Sequence, residues 1–212
     1  MEFFDLKNNA SFYQETEEKV TFEEITMKVE PIRSQRDLAK IRRLLKDKPR
    51  DLLLLNLGVN TGLRVQDILS LRVKQVRNVP LGGRIVVKEK KTQKQNIIIV
   101  NKLIFASLNA YFEAFPEVRD EDFVFKSRKG RNYPLTTYAV TQMVQRWCDS
   151  IGLKINAGAH TLRKTFCWMQ RTVYGTSWEQ ICERLNHSSP AITRRYLGIK
   201  KEEIEQALMH DI

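Results

Sequence analysis

The run from Pro49 to Gly62, PRDLLLLNLGVNTG, restricts the architecture more than any other feature of this chain. Pro49 suits the first turn of a helix, where its missing N–H is not needed, and Asn60-Thr61-Gly62 supplies a stop. The helix between them, Arg50–Val59, is apolar nearly all round, interrupted by Asn56, so it has to lie inside the protein. It is far too short to cross a bilayer, which takes about 20 apolar residues. A chain of 212 residues buries about 70% of its unfolded surface, enough for a core without disulfide or metal.

Amphipathic helices are expected around that central one. Ser34 with Asp37 forms a capping pattern, followed by Leu38, Ile41, Leu44 and Leu45 at helical spacing through about Lys46. A short helix is expected over Val65–Leu71. Another begins near Leu103, carries Leu108, Tyr111 and Phe112, and stops at Pro116. Further helices are expected at about Thr136–Ile151, His160–Tyr174, Trp178–Asn186, Pro190–Leu197 and Lys201–Met209. Ser177 with Gln180 gives a capping box, and Ser189-Pro190 opens a fresh helix. After the turn Pro80-Leu81-Gly82-Gly83, Ile85–Val87 and Ile97–Val100 flank a polar stretch, which reads as strand, hairpin, strand. Phe123–Phe125 reads as a third short strand. The expected class is mainly α with a small antiparallel β-sheet (α+β).

Charge divides the chain. Lys plus Arg number 36 against 25 Asp plus Glu, a net +11. Residues 1–30 hold eight acidic side chains and three lysines, a net −5, which leaves +16 on residues 31–212. So basic a body points to a polyanion, with DNA or RNA first in line. A soluble basic protein with no nucleic-acid role is the plainer alternative. Residues 1–30, with Phe3, Phe4, Phe12 and Phe22 but no clear periodicity, read as a linker or partner-docking arm. Cys148, Cys167 and Cys182 lack CxxC spacing and sit in apolar patterns. With no secretory pattern at Met1–Leu6, they read as reduced thiols of a cytoplasmic protein with no membrane segment.

Four places combine chemically useful residues with turns. Arg64 follows the glycine turn Thr61-Gly62-Leu63, with Asp67 one helical turn on; alone, an arginine there is ordinarily a surface salt bridge. His160 and Arg163 are three apart at a helix start and share a face, while Leu162 turns inward. His187 lies in a loop before Pro190, and Tyr196 near the far end of the next helix, where a tyrosine is by default a packing residue. Lys91 lies in the hairpin Lys90-Lys91-Thr92-Gln93-Lys94, where a lysine is ordinarily a solubilising charge.

Taken in order, Arg64, Lys91, His160-x-x-Arg163, His187 and Tyr196 resemble the tyrosine recombinase (phage integrase) family. The wording around them carries the resemblance: TGLRVQDILSLRVKQV, the lysine hairpin, DFVFKSRKGRNYPLTTYAV, HTLRKTF and ERLNHSSPAITRRYLG. It covers roughly residues 34–200, with Asn186 where glycine is commoner before the second histidine. The resemblance implies that family's catalytic-domain fold, and a bacterial, archaeal or phage-encoded protein acting on double-stranded DNA as a homotetramer. It makes Tyr196 the nucleophile, Lys91 the general acid for the departing 5′ oxygen and His160 an aid to proton movement at the tyrosine. His187 would hydrogen-bond the phosphate.

The chemistry is consistent with that list. A nucleophile that keeps the phosphate attached conserves the bond energy of a cut strand. Arg64 and Arg163 can grip the extra negative charge of the transition state with forked hydrogen bonds. Neither metal, ATP nor another cofactor is required, and Asp67 is expected to orient the Arg64 region. The candidate DNA contacts are Lys88, Lys90, Lys94, Lys126, Arg128, Lys129, Arg131, Lys164, Arg194 and Arg195. Residues 31–212 would form the catalytic domain. The tail Lys201–Ile212, with Ile204, Leu208 and Met209 on one face, resembles a helix docked on a neighbouring protomer, or packs on its own core. Family members usually carry a helical DNA-clamping domain before this body, so the chain reads as a catalytic fragment or as a compact member. A type IB-like topoisomerase and a non-catalytic DNA-binding module are the competing readings.

Overall fold

A computed structural model describes residues 29–128, 132–197 and 208–209. The arm expected at residues 1–30 and the tail expected from Lys201 lie almost wholly outside the described residues, as do Lys129 and Arg131. Chain order gives α1 (Gln35–Leu44), α2 (Pro49–Thr61), α3 (Val65–Ile68), α4 (Val73–Val76), β1 (Arg84–Lys88) and β2 (Gln95–Ile99). It continues with α5 (Lys102–Ala114), α6 (Thr137–Ser150), α7 (Ala159–Thr172), α8 (Trp178–Leu185) and α9 (Pro190–Leu197). The mainly helical class with one small antiparallel sheet is what the sequence predicts.

Helix α2 is the central element, packed mainly against α5 and α7. Leu53 to Val59 are all buried, and the one polar residue among them, Asn56, is satisfied there. Its amide donates to Ser107 Oγ at 2.7 Å, and its carbonyl accepts from Arg42 Nε at 2.9 Å. A buried amide without such partners would cost about 1–3 kcal/mol. At Gly58 the backbones close up: a Cβ there would lie 2.7 Å from Leu162 Cδ1 of α7. Helix α2 ends on Gly62 at φ +65°, where an added Cβ would lie 2.5 Å from Phe166. Only glycine makes that left-handed turn beside a ring.

The expected capping residues act as such. Ser34 Oγ accepts from Asp37 N, and Ser177 and Gln180 form a reciprocal box. Strands β1 and β2 pair antiparallel with Arg84 opposite Ile99 and Lys88 opposite Gln95, one face buried and one exposed.

Two expectations are corrected. Phe123–Phe125 is not a strand: Phe123 makes an isolated bridge to Arg72, and Lys126 a separate one to Pro134. The segment gives its backbone bonds to two different neighbours, so no ladder propagates. The helix expected over Val65–Leu71 ends at Ile68, because Ser70 N and Leu71 N bond three residues back, to Asp67 O and Ile68 O.

The apolar interior falls into two clusters. The larger one surrounds α2 and reaches Leu162 and Met169. The smaller one, Phe166, Cys167, Trp178, Ile181, Leu185 and Leu197, holds α7, α8 and α9 together. All three cysteines are free and buried, and burial pushes the Cys148 thiol up to about 11 and the Cys167 thiol up to about 12.

Candidate active site

Arg64, Val65, Gln66, Thr137, Ala159, His160 and Arg163 line one cavity of 110 Å³. Local structure brings them there. Gly62 turns the chain so that Arg64 becomes the N-cap of α3. Thr161 caps the start of α7 by accepting from Gly158 N at 3.0 Å, which sets His160 and Arg163 on the first turn. Burial, together with the positive charges of Arg163, Lys164 and Arg64, holds the His160 imidazole below its ordinary pKa.

Arg163 is only 3% exposed. Its Nη1 donates to Gly62 O at 2.6 Å and its Nη2 to Leu185 O at 2.7 Å. The guanidinium thereby clamps the turn before Arg64 to the end of α8, directly ahead of His187. Each of those nitrogens carries a second hydrogen, so the fork keeps donors for an anion.

His187 Nδ1 lies 2.9 Å from Thr193 Oγ1 within the same segment. Burial, then the charges of Arg163 and Arg64, depress its pKa to about 4. The ring is therefore neutral at pH 7. Its ring meets that of Tyr196 edge to face, centroids 5.6 Å apart. The Tyr196 hydroxyl is buried and has no hydrogen-bond partner among the described residues. Burial raises its pKa, against the lowering pull of Arg163 and Arg64. The Lys164 ammonium lies 4.9 Å from the Tyr196 ring centre. The phenol is thus stowed against the smaller apolar cluster, within reach of the site's charges but not in the cavity lining.

Lys91 is exposed at the tip of the β1–β2 hairpin. Two carboxylates behind it hold the hairpin. Asp67 Oδ1 accepts from Lys90 N at 2.9 Å and so fixes the hairpin backbone next to Glu89. Glu89 accepts from Arg64 Nη1 at 2.7 Å and from Thr92 Oγ1 at 2.8 Å. It also accepts from Asn96 Nδ2 at 2.8 Å and Asn186 Nδ2 at 2.9 Å. Asn186 sits at φ +53°, ψ +39°, a left-handed helix end that asparagine tolerates well, so the departure from glycine is accommodated.

Glu89 was not among the residues singled out by sequence, nor was Arg184, which donates to Thr61 O at 2.7 Å and Ile97 O at 2.8 Å, and to Asn96 Oδ1. Arg64 and Asn186, which tie Glu89 to the site, and all the partners of Arg184 come from distant segments, so no spacing in the sequence could have revealed them.

Among the candidate DNA contacts, Lys88, Lys90 and Lys94 are exposed on the hairpin and Arg194 on α9. Lys126, paired with Asp122 at 3.3 Å, and Arg128 line a different cavity of 850 Å³, between Pro49, Phe115 and Trp147. That cavity lies at the other ends of α2 and α6 and holds none of the six candidate catalytic side chains. Lys164 is a correction: it is 4% exposed and donates to Val29 O at 2.9 Å, so it anchors the start of the described chain instead of presenting a surface charge. The side chain of Arg195 lies outside the described residues.

The phage integrase family model matches residues 33–203. A probable integrase/recombinase of Bacillus subtilis (strain 168), YoeC, is 33% identical over 177 residues, which is 82% of this chain and 92% of that protein. Among solved structures, the XerA recombinase superposes with a TM-score of 0.69 at 21% identity, over 89% of this chain and 69% of that one. The XerH site-specific recombinase bound to palindromic difH substrate, a post-cleavage complex, gives a TM-score of 0.65 at 23% identity, over 89% of this chain and 55% of that one. This chain therefore spans about half to two thirds of the length of those longer recombinases. Among the described residues no helix is long and apolar enough to cross a membrane. With a family model over most of its length and a close relative aligned nearly end to end, the chain belongs to the phage integrase, or tyrosine recombinase, family.

Proposed function

We propose that this chain, a tyrosine recombinase by family, cuts and rejoins double-stranded DNA at specific sites through a 3′-phosphotyrosine. The Tyr196 oxygen attacks the scissile phosphorus as the neutral His160 imidazole takes up its proton, and the bond from phosphorus to the 5′ oxygen breaks. Lys91 gives that oxygen its proton, producing a free 5′-hydroxyl. A 5′-hydroxyl from another strand then reverses the step. Arg64 and Arg163 stabilise the charge on the non-bridging oxygens, where each preorganised donor contributes a few kcal/mol. His160 assists proton movement, and neutral His187 donates from Nε2 to the phosphate. The exposed hairpin lysines Lys88, Lys90 and Lys94, with Arg194, follow the DNA backbone, and four protomers assemble on two duplexes.

One observation carries this reading. Arg64 from the turn after α2 and His160 and Arg163 from α7 line one small cavity, and Arg163 ties that cavity to the segment of chain bearing His187 and Tyr196. The stowed phenol implies that α9 shifts when DNA binds. The test is covalent capture from a library of nicked duplexes of randomised sequence, in which loss of the short cleaved end traps the adduct. The wild-type chain should recover a defined sequence attached through Tyr196, and Tyr196→Phe should recover none. An adduct that persists in Tyr196→Phe refutes the nucleophile.

A further inference from the structure

We propose that Glu89 is a positioning residue for this site, holding the Arg64 guanidinium in the orientation that grips the scissile phosphate. For its chemistry the inference rests on the recombinase reading; its contacts stand on geometry alone. The Glu89 side chain has 0% exposure. Its two oxygens receive four hydrogen bonds, from Arg64 and Thr92 on one and from Asn96 and Asn186 on the other. These donors belong to the turn after α2, the hairpin and the end of α8, which brings the neighbours of Lys91 and His187 onto the group that holds Arg64. A carboxylate has about four acceptor sites, so all are filled and the group cannot turn without breaking several bonds. Burial by itself would raise its pKa, but these donors and the Arg64 charge outweigh burial and hold it at about 2.

Arg64 needs such an anchor. It is the N-cap residue of a one-turn helix, and its long side chain is 16% exposed. One Nη is held by Glu89, whereas Nε and Nη2 make no hydrogen bond among the described residues. The anchored edge fixes the plane of the fork, and the remaining donors stay available to an anion in the cavity that Arg64 shares with His160 and Arg163.

Glu89→Gln keeps the volume, removes the charge and turns one side of the group into a donor facing donors. The first readout needs no DNA. In the full chain, the Arg64 side-chain ¹⁵N–¹H resonance, identified by its loss in Arg64→Lys, should shift in Glu89→Gln and exchange with water at least tenfold faster. The resonance of Arg77, paired with Asp120 at 2.7 Å, should not move. The second readout is single-turnover cleavage of the duplex recovered by covalent capture. Glu89→Gln should cleave at least tenfold more slowly while the Kd for that duplex stays within twofold. A 5′-thio leaving group, which needs no proton, should leave that deficit in place. In an Arg64→Ala background, Glu89→Gln should add less than a twofold loss. Should Glu89→Gln not fold, Glu89→Asp, with its charge on a shorter arm, should show the same pattern at smaller amplitude.

An unmoved Arg64 resonance overturns the contact. A full additional loss on top of Arg64→Ala overturns the positioning role, because a merely structural defect would add. If the wild-type chain captures no duplex, the recombinase reading falls and the role in cleavage falls with it; a shifted Arg64 resonance would then show the contact surviving alone.

Discussion

Replacing Tyr196, the proposed nucleophile, should make the resting protein more stable while abolishing the proposed chemistry. The Tyr196 hydroxyl is buried with no partner among the described residues, so it has given up hydration without gaining a hydrogen bond. Leaving a buried polar group unsatisfied costs about 1–3 kcal/mol. Phenylalanine keeps the ring in its edge-to-face contact with His187 and under the Lys164 ammonium. The change vacates only one oxygen's volume, and that small void offsets part of the gain. The net expectation is about 1 kcal/mol of stabilisation for Tyr196→Phe, or a rise in Tm of about 2–4 °C for a chain of this size. Urea denaturation of the full chain without DNA, read alongside calorimetry, measures it. The midpoint should rise with an unchanged slope, because the surface exposed on unfolding is the same. A midpoint that stays put or falls would mean the hydroxyl is satisfied in solution, and the stowed-phenol description would be wrong.

Two other perturbations act on the parts that assemble the site. Gly62→Ala forces a side chain into a left-handed turn with its Cβ 2.5 Å from Phe166; strain and overpacking together should cost about 2–4 kcal/mol and disturb Arg64, read as a lowered Tm and weaker capture. For pH, the unfolded chain binds a proton at His187 near 6.5 and the folded chain near 4, so the associated stability is complete above pH 6.5 and disappears as pH falls to about 4. At about 1.4 kcal/mol per unit, discounted for the part-exposed ring, the loss is about 2–3 kcal/mol, and His187→Asn should flatten the denaturation midpoint over that window.

Local signals in the sequence reached a long way. Pro49 and Gly62 mark the ends of α2, the Ser177–Gln180 box marks the start of α8, and two β-branched runs flanking a polar stretch give both strands. Each depends on neighbours within a few residues, where propensity and capping dominate. One-turn elements such as α4 escaped, because Val73–Val76 is too short to show a period. The apparent strand at Phe123 failed since backbone partners are chosen by tertiary contact, and its partners lie on two different sides. The six candidate catalytic residues could be singled out because their types and order resemble a family vocabulary. Glu89 and Arg184 were not, because a buried ion pair and a helix-to-sheet tie look in sequence like any charged residue on a hairpin or helix.

The division of the interior into two clusters bears directly on how such a site could work. Arg64, His160 and Arg163 stand on elements of the larger cluster or at its border, where moving them would open the core around α2. Tyr196 stands on α9, whose contacts are chiefly with α8 and α7 and whose anchoring side chain, Leu197, belongs to the smaller cluster. Displacing α9 exposes Leu197 and part of that cluster, at about 1.5–3 kcal/mol per large apolar side chain. The same displacement relieves the unsatisfied phenol, which returns about 1–3 kcal/mol. That relief offsets only part of the cost, and phosphate contacts from the proposed DNA-binding lysines of the hairpin would supply the rest. On the proposed mechanism the buried hydroxyl would thus reduce the cost of its own release, while the arginines stay fixed.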